Sequence, residues 1–145
     1  MKRGAPRCRG LCFMRLERES DFVFLMACEL KNSARHRRFA SILAVAPQNE
    51  SFAIDRFLSE SIRESDAFCV IGGVVYVLMG ETNRAGARRA SERFREALRL
   101  AGEAWFAVAE FPHDGGDPTT LFDSVRQRLE QAKAQSAQGL AIANG

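Results

Sequence analysis

The sequence predicts an α+β domain, a ferredoxin-like βαββαβ sheet with extra N- and C-terminal helices. Three observations carry this. Four short apolar runs, Ser41–Ala46, Ala67–Val70, Val74–Met79 and Trp105–Glu110, alternate with stretches whose apolar residues recur every three or four positions. The middle two runs are separated only by Ile71, Gly72 and Gly73, the spacing of a hairpin, whereas the outer connections are long enough for crossover helices. The chain has 145 residues, 46% of them hydrophobic, which suits one core without staples or metals.

In chain order, Phe22, Leu25, Met26, Leu30 and Ala34 recur at helical spacing. Ser20 or Asp21 is placed to cap that helix, and Arg35–Arg38 suit the negative end of its dipole. Ser41–Ala46 is unbroken by polar residues apart from its first and is closed by Pro47, as expected of a strand covered on both faces. Ile54, Phe57, Leu58 and Ile62 return to the helical period and lead into the hairpin. Ala87, Ala90, Phe94, Ala97 and Leu98 mark a longer helix, with Gly102 placed to end it before the Trp105–Glu110 strand. After a turn-rich segment from Pro112 to Pro118, Thr119 or Thr120 is expected to cap a last helix built on Leu121, Phe122, Val125, Leu129 and Ala132. The expected boundaries are a flexible lead or linker remnant over 1–20, the domain over 21–135, and a flexible tail over 136–145.

A net charge of +3 favours anionic partners only weakly. The sequence has no apolar run of the roughly 18 residues that a membrane span requires. Arg15 and Glu17 interrupt the apolar patch that a secretory leader would need. Four cysteines, of which only Cys8 and Cys12 are close, read as reduced thiols, so a cytoplasmic location is expected. Arg35, His36, Arg37 and Arg38 read as a solvated helix end rather than a nucleic-acid surface. His113, Asp114 and Asp117 read as turn residues, so no metal site is expected.

One stretch is more specific. Arg63, two residues, Asp66, five residues, then Gly72-Gly73-Val74-Val75-Tyr76 resembles, without a gap, the GGDEF family's R-x-x-D followed by G-G-[DE]-E-F on a hairpin. Glu81-Thr82 is similar to the turn after that hairpin, and Ala90 to Arg95 is similar to the family's A-E-R-I-R helix. Phe111 to Gly115 resembles its F-P-x-D-G turn, and Gln131-Ala132-Lys133 the end of its last helix. The resemblance covers about residues 21–135 and implies the palm domain of the GGDEF and nucleotidyl cyclase type.

In active members of that family the acidic pair of the signature and an aspartate ending the first strand hold two metal ions. The ions support attack of a ribose hydroxyl on the α-phosphate of GTP. Here Val74 and Val75 stand at the acidic positions, and the first strand ends Val45-Ala46-Pro47. Gln48-Asn49-Glu50 replaces the longer loop that recognises guanine. The resulting expectation is a degenerate GGDEF domain that is not an enzyme, with no catalytic residues, metal or cofactor.

The resemblance also implies a retained product-inhibition site. Arg63 and Asp66 match the R-x-x-D that binds cyclic di-GMP, and Arg93 matches the arginine of A-E-R-I-R. The expected function is a cyclic di-GMP receptor acting through Arg63, Asp66 and Arg93. The alternative is a protein-interaction scaffold without a nucleotide ligand, in which Arg63 and Asp66 form an ordinary solvated ion pair. Besides cyclic di-GMP, a protein partner or upstream sensory domain is expected, and a homodimer is compatible with the sequence. Nucleic acid and direct membrane insertion are not expected.

Overall fold

A computed structural model describes residues 14–48, 66–98, 103–135 and 142–143. In chain order these form β1 (Met14–Leu16), α1 (Glu19–Arg35), β2 (Ala40–Pro47), β3 (Ala67–Ile71), β4 (Val74–Gly80), α2 (Arg84–Leu98), β5 (Ala104–Phe111), α3 (Pro118–Gln135) and β6 (Ile142–Ala143). The sheet order is β1-β3-β4-β2-β5-β6. Each of its four inner strands is antiparallel to its inner neighbours, in the ferredoxin-like order expected. The four expected strands are all present, each longer by one or two residues. The helix expected around Ile54–Ile62 and the Gly102 cap lie outside the described residues.

The apolar runs are continuous because the sheet is covered on both faces. Ile42, Ala44 and Ala46 of β2 join Tyr76, Leu78, Ala107 and Ala109 beneath α1 and α3. Leu43 and Val45 turn the other way and join Phe68, Val77, Phe106 and Val108 beneath α2. All five β2 residues are buried, so each pleat position meets a hydrophobic layer and polar alternation is excluded. On the first face the Phe122 ring meets Tyr76 edge-on at 4.9 Å, and the Arg126 guanidinium lies 4.1 Å from the centroid of Phe122 while bonding Glu19 of α1 at 2.9 Å.

The ends of the chain depart from expectation. Met14–Leu16, within the stretch expected as a flexible lead, pairs in parallel with Ala67–Cys69 of β3. Ile142–Ala143, within the expected tail, pairs with Phe106–Ala107. A two- or three-residue strand has no period to detect and forms only because an open sheet edge offers it hydrogen bonds. Helix α1 starts at Glu19, and its cap position is Arg18, which gives no side-chain cap. The Arg18 carbonyl instead accepts the N–H groups of Asp21 and Phe22. On α3 the capping side chain is Asp117, not Thr119 or Thr120. Its carboxylate accepts the Thr120 N–H at 2.8 Å and the Thr120 hydroxyl at 3.1 Å. Among the described residues no helix is long and apolar enough to cross a membrane.

Candidate functional site

The strand directions separate two ends of the sheet. At one end lie the hairpin turn Gly72-Gly73 and the close of β2; at the other, the starts of β2 and β3 and the ends of β4 and β5. Ile71 pairs with Val74, so Gly72 and Gly73 are the whole hairpin loop, and both have positive φ, 59° and 82°. That conformation favours glycine for its backbone alone, because nothing lies within 4 Å of an added Cβ at either position.

At the hairpin end, Val75 is fully buried beneath α2, and Val74 packs, partly buried, against the opposite core. Ala46 pairs with Trp105, and the Lys133 ammonium of α3 stands 5.8 Å from the Trp105 ring centroid and 3.7 Å from Glu130. Lys133 therefore lies over β5, beside the strand pair that ends β2.

At the other end, Asp66 directly precedes β3 and is only 5% exposed. Two residues later Phe68 belongs to the core beneath α2, so strand alternation directs Asp66 to that same face. Ala67 pairs with Leu78, which brings Met79, the next residue of β4, to the level of Asp66. Met79 is part of the wall of a groove of about 310 Å³, lined also by Phe39, Glu81, Thr82, Asn83, Gly86, Arg89 and Ala90. Arg93 lies one helical turn beyond Arg89, with its guanidinium 5.3 Å from the Phe94 ring centroid. Asp66 and Arg89 thus lie towards the same end of the face that α2 covers, while Arg93 sits one turn further along the helix and is not part of the groove wall. Arg63 lies outside the described residues.

The groove rim is held by local bonds. Asn83 accepts the Gly86 N–H on its side-chain oxygen at 2.9 Å and so caps α2. Ser41 donates to the Thr82 carbonyl and Thr82 to that of Gly80, each at 2.8 Å. Arg38 pairs with Glu81. Arg37 and Glu81 both hold positive φ, 57° and 52°, an uncommon conformation for side-chain-bearing residues. Arg89 is the contributor that sequence reasoning missed. Its signal was the four-residue spacing from Arg93, one face of one helix.

The turn after β5 is occupied structurally. Asp114 accepts bonds from both Arg128 nitrogens at 2.9 and 2.8 Å, from Arg84 at 2.9 Å and from the Glu110 N–H at 2.8 Å. Burial raises the pKa of its carboxyl, but Arg128, the Glu110 N–H and Arg84 together outweigh that and hold it at about 2. Among the described residues no three His, Cys, Asp or Glu side chains gather as a metal-binding group would require.

No protein-family model and no curated protein matches the sequence. Solved structures do match in three dimensions. The GGDEF domain of YfiN, also called TpbB, from Pseudomonas aeruginosa is 16% identical with a TM-score of 0.75, covering 90% of this chain and 97% of that one. The active GGEEF domain of a diguanylate cyclase from Vibrio cholerae is 12% identical with a TM-score of 0.71, covering 93% of this chain and 99% of that one. The diguanylate cyclase SiaD of Pseudomonas aeruginosa, solved with its activator SiaC, is 19% identical with a TM-score of 0.66, covering 88% of this chain and 58% of that one. The expectation of a non-enzyme, which rested on Val74, Val75, the acid-free Val45-Ala46-Pro47 and the short Gln48-Asn49-Glu50 segment, is corrected by this finding. The architecture is shared over nearly its whole length with a domain described as an active cyclase, so the fold by itself gives no ground for reading a non-enzyme. At these identities the likeness is one of architecture, and the chain has the fold of the GGDEF domains.

Proposed function

We propose that this domain is a signalling module that binds cyclic di-GMP at the end of the sheet where Asp66, Arg93 and, from sequence, Arg63 meet. The observation carrying this reading is the position of Asp66, a nearly buried carboxylate level with Met79 in the wall of a groove flanked by Arg89. A solvated surface ion pair would leave Asp66 exposed. Arg63 precedes it by three residues, within about 11 Å even if the chain is fully extended.

The side chains suit a guanine dinucleotide. A carboxylate accepts from the N1–H and N2–H edge of guanine, and a guanidinium fork donates to O6 and N7 or to a phosphate. Met79 and Phe39 supply apolar surface for a base, with Arg89 added to Arg93 as a second cation on the helix.

Calorimetric titration of the purified chain with cyclic di-GMP tests the reading. Binding is expected, and Arg63→Ala or Arg93→Ala should each weaken it tenfold or more. The loss of a hydrogen bond to a charged group typically costs about 1.5–3 kcal/mol. Absence of binding at ~100 μM ligand, where a matching Kd corresponds to only about 5.5 kcal/mol, removes the receptor reading and favours a scaffold for a protein partner.

A further inference from the structure

The outer face of α1 carries a pattern that neither the core nor the groove uses. Phe22, Met26, Leu30 and Ser33 are the buried residues of this helix. Directly opposite, at alternating spacings of three and four, run Asp21, Phe24, Cys28, Lys31 and Arg35. Phe24 is 70% exposed, the highest value among the large apolar side chains described. Cys28 is an exposed free thiol. Among the described residues Lys31 and Arg35 make no ion pair, and the Asp21 carboxylate pairs only with Arg18, at the surface.

The order of charge along this stripe is acid, apolar centre, base. Asp21 and Arg35 each lie seven residues, two helical turns, from Cys28. A two-fold axis through Cys28 therefore sets Asp21 of each copy against Arg35 of the other. It also lays each Phe24 beside the small Cys28 and the alkyl stem of Lys31 of its mate. We infer that the outer face of α1 is a self-complementary surface for a second copy of this chain, joined as an antiparallel helix pair centred on Cys28. The occupant is a second copy because the stripe is its own complement under that rotation. A 17-residue helix is about 25 Å long, and one such pair falls at the small end of specific interfaces, so the dimer is weak and dependent on concentration.

The test is sedimentation of the full chain at rising concentration, with Cys8→Ser and Cys12→Ser so that Cys28 is the accessible thiol and Cys69 stays buried. A monomer–dimer equilibrium is expected, and Phe24→Glu should raise its Kd at least tenfold without changing the circular dichroism of the monomer. A short bismaleimide should couple two copies at Cys28, each thiol adding across one maleimide double bond with no redox step. Asp21→Lys and Arg35→Asp should each weaken the dimer, and the two together should restore it, which a purely structural effect would not do. A chain that stays monomeric up to about 1 mM, where association amounts to only ~4 kcal/mol, overturns the inference. So does a dimer indifferent to Phe24→Glu that does not couple through Cys28.

Discussion

At the scale of single residues, Asp114 shows how a polar group is accommodated inside a turn. Its side chain is 4% exposed, and desolvation alone would drive the carboxyl towards its neutral form. Two guanidiniums and a backbone N–H reverse that balance and bring its pKa to about 2, below the ordinary 3.8. The sign follows from linkage. A carboxyl depressed in the folded state stabilises the fold fully above its unfolded pKa, and that contribution disappears as pH falls from about 4 towards 2. The shift corresponds to about 2 kcal/mol. Urea denaturation at steps of pH should therefore show stability falling by about that amount across the window. Asp114→Asn should begin lower by a similar amount at pH 7 and lose most of this slope.

Elements are joined by equally specific contacts. Gly115 sits where α3 begins, and a Cβ added there would lie 2.7 Å from the Leu121 nitrogen and 2.8 Å from its Cα, both backbone atoms that cannot swing aside. The hydroxyl of Ser124, nearly two turns into the helix, donates to the Asp114 carbonyl at 2.7 Å and pins the same turn. Gly115→Ala should accordingly cost about 1–3 kcal/mol, as overpacking does, and displace the start of α3 from β5. Gly72 and Gly73 behave differently, since only backbone conformation restricts them. Gly73→Ala should cost about 1–2 kcal/mol and leave the strand pairing intact. Chemical denaturation of the two variants, with amide exchange on β4 and α3, separates a helix displaced by contact from a turn strained in place.

For the molecule as a whole, the groove beside Asp66 and the outer face of α1 lie on opposite sides of the sheet, because α2 covers one face and α1 the other. Binding at the first should leave association through the second nearly unchanged. If the domain takes cyclic di-GMP, ligand at about 100 times its Kd should stabilise it by about 2.7 kcal/mol, read as a rise in melting temperature. That rise should vanish in Arg93→Ala and persist in Phe24→Glu, so thermal shift and sedimentation together distinguish the two surfaces.

The sequence by itself determined the four inner strands and the hairpin, because each is a continuous apolar run of the kind a sheet buried on both faces requires and only two glycines separate β3 from β4. Strand alternation sends Ile42 and Leu43 to opposite faces, but which helix covers each face was decided by the tertiary structure. Asp66 and Arg93 were legible only through resemblance to a motif. The level of Asp66 with Met79 was decided by strand register, and the face that Arg89 flanks by the side of the sheet on which α2 lies. Asp114 read as a turn residue, and its role as the acceptor for Arg84 and Arg128 depends on partners 30 and 14 residues away. The edge strands β1 and β6 and the Asp117 cap were likewise tertiary decisions. Two or three residues have too little periodicity to declare themselves, and a cap is chosen by where the helix is made to start. The non-enzyme reading drawn from Val74, Val75, Val45-Ala46-Pro47 and Gln48-Asn49-Glu50 was the part the sequence did not decide, because residue identities at a few positions do not define what an architecture shared with a domain described as an active cyclase carries.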